Sequence, residues 1–193
     1  MRNKPAPRAA DGTVILGIDP GLARMGYGVV VQKDGRLRAL DYGTFTSKAG
    51  DPMEGRLAVL FKQVTAVVKR WKPDSAAMEE LFFSKNVKTA MAVAQARGVA
   101  LLACGLEGVP VTEYRPLGIK QAVAGFGGAD KQQIQKMVKL LLGLAEVPKP
   151  DDTADALAVA ITHAQCSGNR LPSIAVLGAK PGKPGKSFSA YRL

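Results

Sequence analysis

Histidine is nearly absent from this sequence and cysteine is scarce. His163 is the sole histidine, and Cys104 and Cys166 are the two cysteines. No Cys-x-x-Cys pair or histidine–cysteine spacing is present, which argues against a zinc site or a disulfide scaffold. A Ser-His-Asp or Cys-His relay would have to use His163, and nothing else in the sequence supports one. Both cysteines fall in apolar helical runs and are expected to be buried thiols. Long hydrophobic runs are also lacking, since spanning a bilayer takes about 20 consecutive apolar residues. Residues 1–11 mix Pro, Arg, Lys and Asp without the apolar block of a secretory leader. The expectation is a soluble cytoplasmic protein with no membrane partner.

Acidic residues are in short supply: 16 Asp and Glu stand against 27 Lys and Arg, for a net charge of +11. The excess gathers at the ends. Between Gly168 and Leu193, Arg170, Lys180, Lys183, Lys186 and Arg192 meet no acid, and Met1–Gly12 carries three bases to one acid. The body is only mildly basic. Such a balance favours a polyanionic partner, nucleic acid before membrane.

What is present suits one domain with a sizeable core: 193 residues, 47% hydrophobic. Residues 1–12 read as a disordered basic lead, 13–167 as the folded domain, and 168–193 as a basic Gly/Pro/Lys-rich tail. Three strands are expected at Val14–Asp19, Gly26–Gln32 and Arg36–Thr46, the last two joined by the hairpin signal Asp34-Gly35. Helical spacing of Leu57, Leu60, Phe61, Val64, Val67 and Val68 predicts a helix over Gly55–Trp71, stopped by Lys72-Pro73. A short strand (Ser75–Glu80), an Ala-rich helix (Asn86–Leu106) and another strand (Pro110–Tyr114) follow. Helices at Leu117–Phe126, Lys131–Leu142 and about Asp152–Cys166 complete the pattern. Three hairpin-linked strands followed by alternating helices and strands describe a mixed sheet with helices on its faces.

The few acids fall in unexpected places. Asp19 ends a strand that reads as buried on both faces, and Glu79 and Glu80 end another short apolar strand. Asp152 and Asp155, spaced i to i+3, share one side of a helix that is apolar nearly all round. Each has an ordinary explanation alone. Asp19 suits a turn before Pro20-Gly21, Asp151 an N-cap, and one of Glu79 and Glu80 must face outward. Together they demand more. An isolated buried carboxylate costs several kcal/mol or is neutralised (roughly 2–7 kcal/mol even for uncharged polar groups). Several become tolerable if they share divalent cations, and oxygen donors of this kind suit Mg²⁺ or Mn²⁺. Two such ions are the usual apparatus of in-line phosphodiester cleavage.

Four blocks in order resemble the RuvC family of Holliday-junction resolvases. They are GIDPG with GYGVV (Gly17–Gly21, Gly26–Val30), MEE-LFF-SKN (Met78–Asn86), QARGVALLA (Gln95–Ala103) and DDTADALAVAITH (Asp151–His163). GIDPG alone is weak, because many ribonuclease H-like and actin-like folds open similarly; the ordered set covers most of the chain. The resemblance implies a ribonuclease H-like α/β fold, with a mixed five-stranded sheet flanked by helices. It further implies a homodimer and a Mg²⁺-dependent endonuclease making paired nicks in four-way junction DNA during recombination and repair. A branch-migration motor of the RuvA–RuvB type is the implied partner complex. The implied catalytic and metal-binding set is Asp19, Glu79, Asp152 and Asp155. One of two Mg²⁺ ions (Mn²⁺ substituting) would sit on Asp19 with Asp152 or Asp155, the other on Asp19 with Glu79. Implied DNA contacts are Phe82 or Phe83, stacking on bases at the crossover, with Lys85, Lys120 and Lys131 on phosphates. The implied dimer seam is the helix Asn86–Leu106 and its preceding loop.

Two alternatives stay open at this point: a nuclease of the same fold acting on ribosomal RNA precursors, and a non-catalytic junction binder. The basic tail either contacts DNA or is a solvated end. Deleting residues 168–193 and measuring junction affinity against salt separates these. Each lost phosphate contact flattens the log–log slope by about 0.9, and an unchanged slope rejects DNA contact by the tail.

Overall fold

The computed structural model describes residues 12–80 and 87–168, except for the side chains of 87–89 and 168. Strand β1 (Thr13–Asp19) lies at the centre of one sheet. It pairs antiparallel with β2 (Arg24–Lys33), which pairs antiparallel with β3 (Arg36–Thr46). On its other side β1 runs parallel to β4 (Ser75–Glu79), and β4 runs parallel to β5 (Val111–Tyr114). The sheet order is β3-β2-β1-β4-β5. Helix α1 (Met53–Trp71) precedes β4, and α2 (Val87–Leu106) precedes β5, as parallel strands require of their crossovers. Helices α3 (Pro116–Ala124), α4 (Lys131–Leu142) and α5 (Asp151–Gly168) follow.

The expected five-stranded mixed sheet with flanking helices is the observed one. The β2–β3 turn places both Asp34 and Gly35 at positive φ (50° and 74°), matching the right-handed twist of the strands it joins. Lys72 ends α1 in the left-handed region, its N–H bonded to the Val68 carbonyl at 2.8 Å. Some boundaries differ from the expectation. β2 begins two residues earlier, at Arg24, because Arg24 and Met25 pair with Thr46 and Phe45 of β3. α3 stops at Ala124 because Gly125 turns left-handed, leaving Phe126 in the following turn. Cys104 is buried against α1, but Cys166 is exposed, in the last turn of α5.

Residue parity on β1 divides the core. Val14, Leu16 and Ile18 pack with α1 and α2 on one face. Ile15 faces the other side, with Val30, Ala77 and the buried residues of α3, α4 and α5. Gly17 and Asp19 share that second face by alternation. His163 on α5 spans to the sheet there, its Nδ1 2.8 Å from the Tyr114 hydroxyl and its Nε2 2.9 Å from Ser75 Oγ. Burial pulls its pKa down and favours the neutral ring. Ser75 opens β4 and lies about 13 Å along the strand from Glu79, so His163 acts as a tie between elements.

Helix α5 lies directly on β1 and β2 because their facing residues are glycines. A Cβ on Gly17 would collide with the Ala156 carbonyl oxygen and come within 2.8 Å of the Ala160 nitrogen. A Cβ on Gly26 would strike the Asp152 carbonyl oxygen, and one on Gly28 would meet Leu157 Cδ2 at 2.5 Å. Gly17 and Gly28 are register partners, so the contact crosses both strands at one level. Gly17→Ala should therefore cost about 1–3 kcal/mol or more, because backbone rather than a movable side chain is in the way. Gly55→Ala in α1, where nothing lies within 4 Å, should be neutral or stabilise by up to about 1 kcal/mol. Urea unfolding of the two variants checks the contrast.

Candidate active site

Asp19, Glu79, Asp152 and Asp155 meet at one end of the sheet, on the face that carries α5. Asp19 is the last residue of β1 and pairs with Gly26. The β1–β4 register runs to Ile18 opposite Met78, so Asp19 and Glu79 are the next residues along adjacent parallel strands. Ser75 and Ala77 face α5, so alternation puts Glu79 there too. Glu80 lies beyond the strand, with its Oε2 3.3 Å from Arg115 Nε. Parity thus separates two acids that are adjacent in sequence.

The first turn of α5 supplies the other two. Its backbone at Asp152 rests on Gly26, the register partner of Asp19. Asp152 and Asp155 are half-buried, whereas Asp151 is exposed. Asp151 lies inside the first helical turn and does not precede it as an N-cap. Its side chain accepts from Gln135 Nε2 at 2.9 Å and lies 3.2 Å from Lys131 Nζ. Lys131 Nζ is also 3.2 Å from Asp155 Oδ2, and Arg24 Nη1 is 3.4 Å from Asp152 Oδ2. Among the described residues, no three acidic, histidine or cysteine side chains are drawn into a ready-made metal cage. Like charges repel, and here Arg24 and Lys131 hold two of the acids.

The electrostatics record that crowding. Burial, then the charges of Asp155, Asp152 and Glu79, push the Asp19 carboxyl from 3.8 to about 7, against a partial offset from Lys131. Glu79 is raised by burial and by Asp155, with Lys120 opposing. Asp155 is raised because burial outweighs the pull of Lys131, with Asp151 and Asp152 adding repulsion. Asp151 is lowered by its hydrogen bonds from Lys131 and Gln135. For Lys131, partial burial pulls the pKa down, but Asp155 and Asp151 prevail and raise it. An all-oxygen donor set, unfavourable when fully ionised, fits a hard divalent cation.

The lysines are where the site needs positive charge. Lys120 on α3 acts on Glu79, and Lys131 opens α4 beside Asp155. The α4 N-terminus itself is taken. Asp130 accepts from the Gln133 N–H at 2.8 Å, and Gln133 Oε1 accepts from the Asp130 N–H at 2.9 Å. That capping box takes up part of the helix terminus that a phosphate would otherwise use. Phe82, Phe83 and Lys85 lie outside the described residues. Sequence reasoning missed Arg24 and Gln135. Antiparallel pairing of Asp19 with Gly26 would have placed Arg24 at the same edge.

The fold and this placement of acids define a ribonuclease H-like nuclease. A family model described as crossover junction endodeoxyribonuclease RuvC matches residues 15–163. The chain is 60% identical over 149 residues to a crossover junction endodeoxyribonuclease RuvC of Chloroflexus aurantiacus, covering 77% of this chain and 91% of that protein. It is 58% identical over 151 residues to that of Desulfitobacterium hafniense, covering 78% and 92%. Its structure is similar to Thermus thermophilus RuvC in complex with a Holliday junction substrate. The TM-score there is 0.78 at 39% identity, over 80% of this chain and 94% of the other. The chain belongs to the RuvC family of crossover junction endodeoxyribonucleases. Membership implies use of a divalent metal.

Raised carboxyl pKa values make a stability prediction for metal-free protein. Between about pH 4 and pH 7 the native state holds a proton on Asp19 that the unfolded chain, at 3.8, has released. The contribution of Asp19 to stability must then fall as pH rises through that window, by at most about 1.4 kcal/mol per pH unit, whereas His163, kept neutral by burial, adds stability as pH rises toward 6.5. Urea unfolding in chelator from pH 4.5 to 7.5 should show the Asp19 contribution as the difference between the wild type and Asp19→Asn, and added Mg²⁺ should restore stability near neutral pH.

Proposed function

We propose that the protein resolves four-way DNA junctions by paired, symmetric nicks, acting as a homodimer with two Mg²⁺ ions in each active site. The observation that carries this reading is the delivery of four carboxylates, from two parallel strands and one helix, to a single edge of the sheet. Asp19, Glu79, Asp152 and Asp155 would hold the ions, with Mn²⁺ able to take their place. When bound, the ions supply activation of the attacking water and stabilisation of the departing 3′ oxygen, leaving 5′-phosphate and 3′-hydroxyl ends. The rest falls to the chain. Asp19, which the charges of Asp155, Asp152 and Glu79 all reach, would be the acid around which the ions are held. Lys120 and Lys131 set positive charge beside Glu79 and Asp155, where the phosphate oxygens of the cut strand would lie.

Pairing of the nicks calls for a two-fold arrangement, since an isologous dimer presents two identical sites to a four-way junction of matching symmetry. The face of α2 that carries Ala96, Ala100 and Ala103 packs inward, while Met91, Leu102 and Leu106 are exposed large apolar residues. This supports α2 as the dimer seam. Phe82 or Phe83 stacking at the crossover, with Lys85 nearby, completes the DNA contacts. A place in recombination and repair in the cytoplasm, beside a RuvA–RuvB-type branch-migration motor, fits the same reading.

Labelled four-way junction, linear duplex and RNA hairpin, each with and without Mg²⁺, test the proposal. Paired nicks confined to the junction and dependent on the ion are expected. Asp19→Asn should lower nicking by more than the roughly 10–100-fold typical of residues one step removed from a metal. RNA-only cleavage, or normal nicking by Asp19→Asn, would reject the reading.

A further inference from the structure

We infer that Arg24 is a substrate-phosphate contact parked on Asp152 until the metal site fills. The inference rests on the reading of Asp19, Glu79, Asp152 and Asp155 as the metal ligands. Arg24 opens β2, two residues before Gly26, the register partner of Asp19. Its Nη1 lies 3.4 Å from Asp152 Oδ2, with 52% of the Arg24 side chain and 32% of the Asp152 side chain exposed.

Three features suit this contact to exchange. First, the pair is long for a charge-assisted hydrogen bond and half in solvent, so it is weak and easily exchanged. Second, Asp152 has a competing use. A divalent ion on that carboxylate would outbid a single monodentate guanidinium, and the displaced Arg24 would remain at the mouth of the site with its donors free. Third, among the described residues Asp152 is the acid that Arg24 pairs with. The neighbouring acids Asp19 and Glu79 carry Lys131 and Lys120 close by, and Asp155 and Asp151 share Lys131. Lys131 differs in that Asp151, outside the acid cluster, can keep holding it when Asp155 is taken. A displaced Arg24 would meet the phosphate oxygens of an incoming strand, for which its planar fork is well shaped.

The two roles predict opposite effects of one substitution. Removing a cation beside a ligand favours a second cation there, so Arg24→Gln should bind Mn²⁺ severalfold more tightly in DNA-free protein, read by electron paramagnetic resonance of free Mn²⁺. The same variant should raise KM for nicking of a fluorescein-labelled junction in Mg²⁺ about tenfold or less, with kcat nearly unchanged. It should also flatten the salt dependence of kcat/KM by about one phosphate contact, a slope change of about 0.9. Arg24→Lys should return most of the salt slope while keeping KM raised, because a point charge replaces a fork. A thermal melt confirms that the exposed substitution leaves the fold intact. Unchanged or weaker Mn²⁺ affinity in Arg24→Gln, or an unchanged salt slope, overturns the proposal. Asp19→Asn run alongside keeps the two levels apart. If it loses Mn²⁺ while Arg24→Gln changes nothing, only the role of Arg24 falls. If it binds Mn²⁺ as wild type does, the ligand assignment fails and the role of Arg24 with it.

Discussion

The seating of α5 on the glycines of β1 and β2 is the contact on which the rest depends. Helix backbone rarely comes this close to a sheet, because Cβ atoms on both surfaces hold the layers apart. Gly17, Gly26 and Gly28 remove those atoms along one track, and the small residues Ala156 and Ala160 answer from the helix. The gain is positional. It brings the start of α5 down to the last residue of β1, so carboxylates 133 and 136 positions after Asp19 in the chain reach the same edge. The apolar strand that ends in a carboxylate makes sense in this setting: it is a rigid mount, fixed on both faces by packed side chains.

That mount works against electrostatics. Burial and mutual repulsion raise Asp19, Glu79 and Asp155 together, and the protein counters with cations borrowed from neighbouring elements: Lys120 from α3, Lys131 from α4 and Arg24 from β2. The metal-free arrangement is thus a compromise between an acidic cluster and a basic surround. The same surround suits a polyanionic substrate. A site of this composition attracts phosphate with its rim and divalent ions with its floor, and each makes the other easier to hold.

Much of this was legible in the sequence. Strong hydrophobic periodicity, the Asp-Gly turn and the Lys-Pro stop gave the elements nearly to the residue, since local chemistry decides them. The acids were legible as types out of place on apolar elements. The choice of Glu79 over Glu80 came by resemblance, and the physical reason needed the sheet: only the register of β1 against β4 shows that Asp19 and Glu79 are neighbours on one face. Gln135 and the pairing of Lys131 with Asp151 depend on how α4 packs beside α5, which no local pattern encodes, and Arg24 comes into view only once β1 is paired with β2. Cys166 went wrong for a related reason. Apolar neighbours in sequence suggested burial, but Cys166 lies at the exposed end of α5, its thiol beside Tyr114 of β5. Gly17, Gly26 and Gly28 were read as strand residues and motif markers, whereas their structural use is to be thin.

The order of the acids along the chain has a consequence for how this nuclease comes into being. Asp19 sits in the first strand, Glu79 in the fourth, and Asp152 and Asp155 in the last helix. The set therefore closes only when the final element docks on the first. A chain still being synthesised, or one clipped anywhere between those elements, holds at most part of the cluster. For an endonuclease, that makes completed folding itself the safety catch.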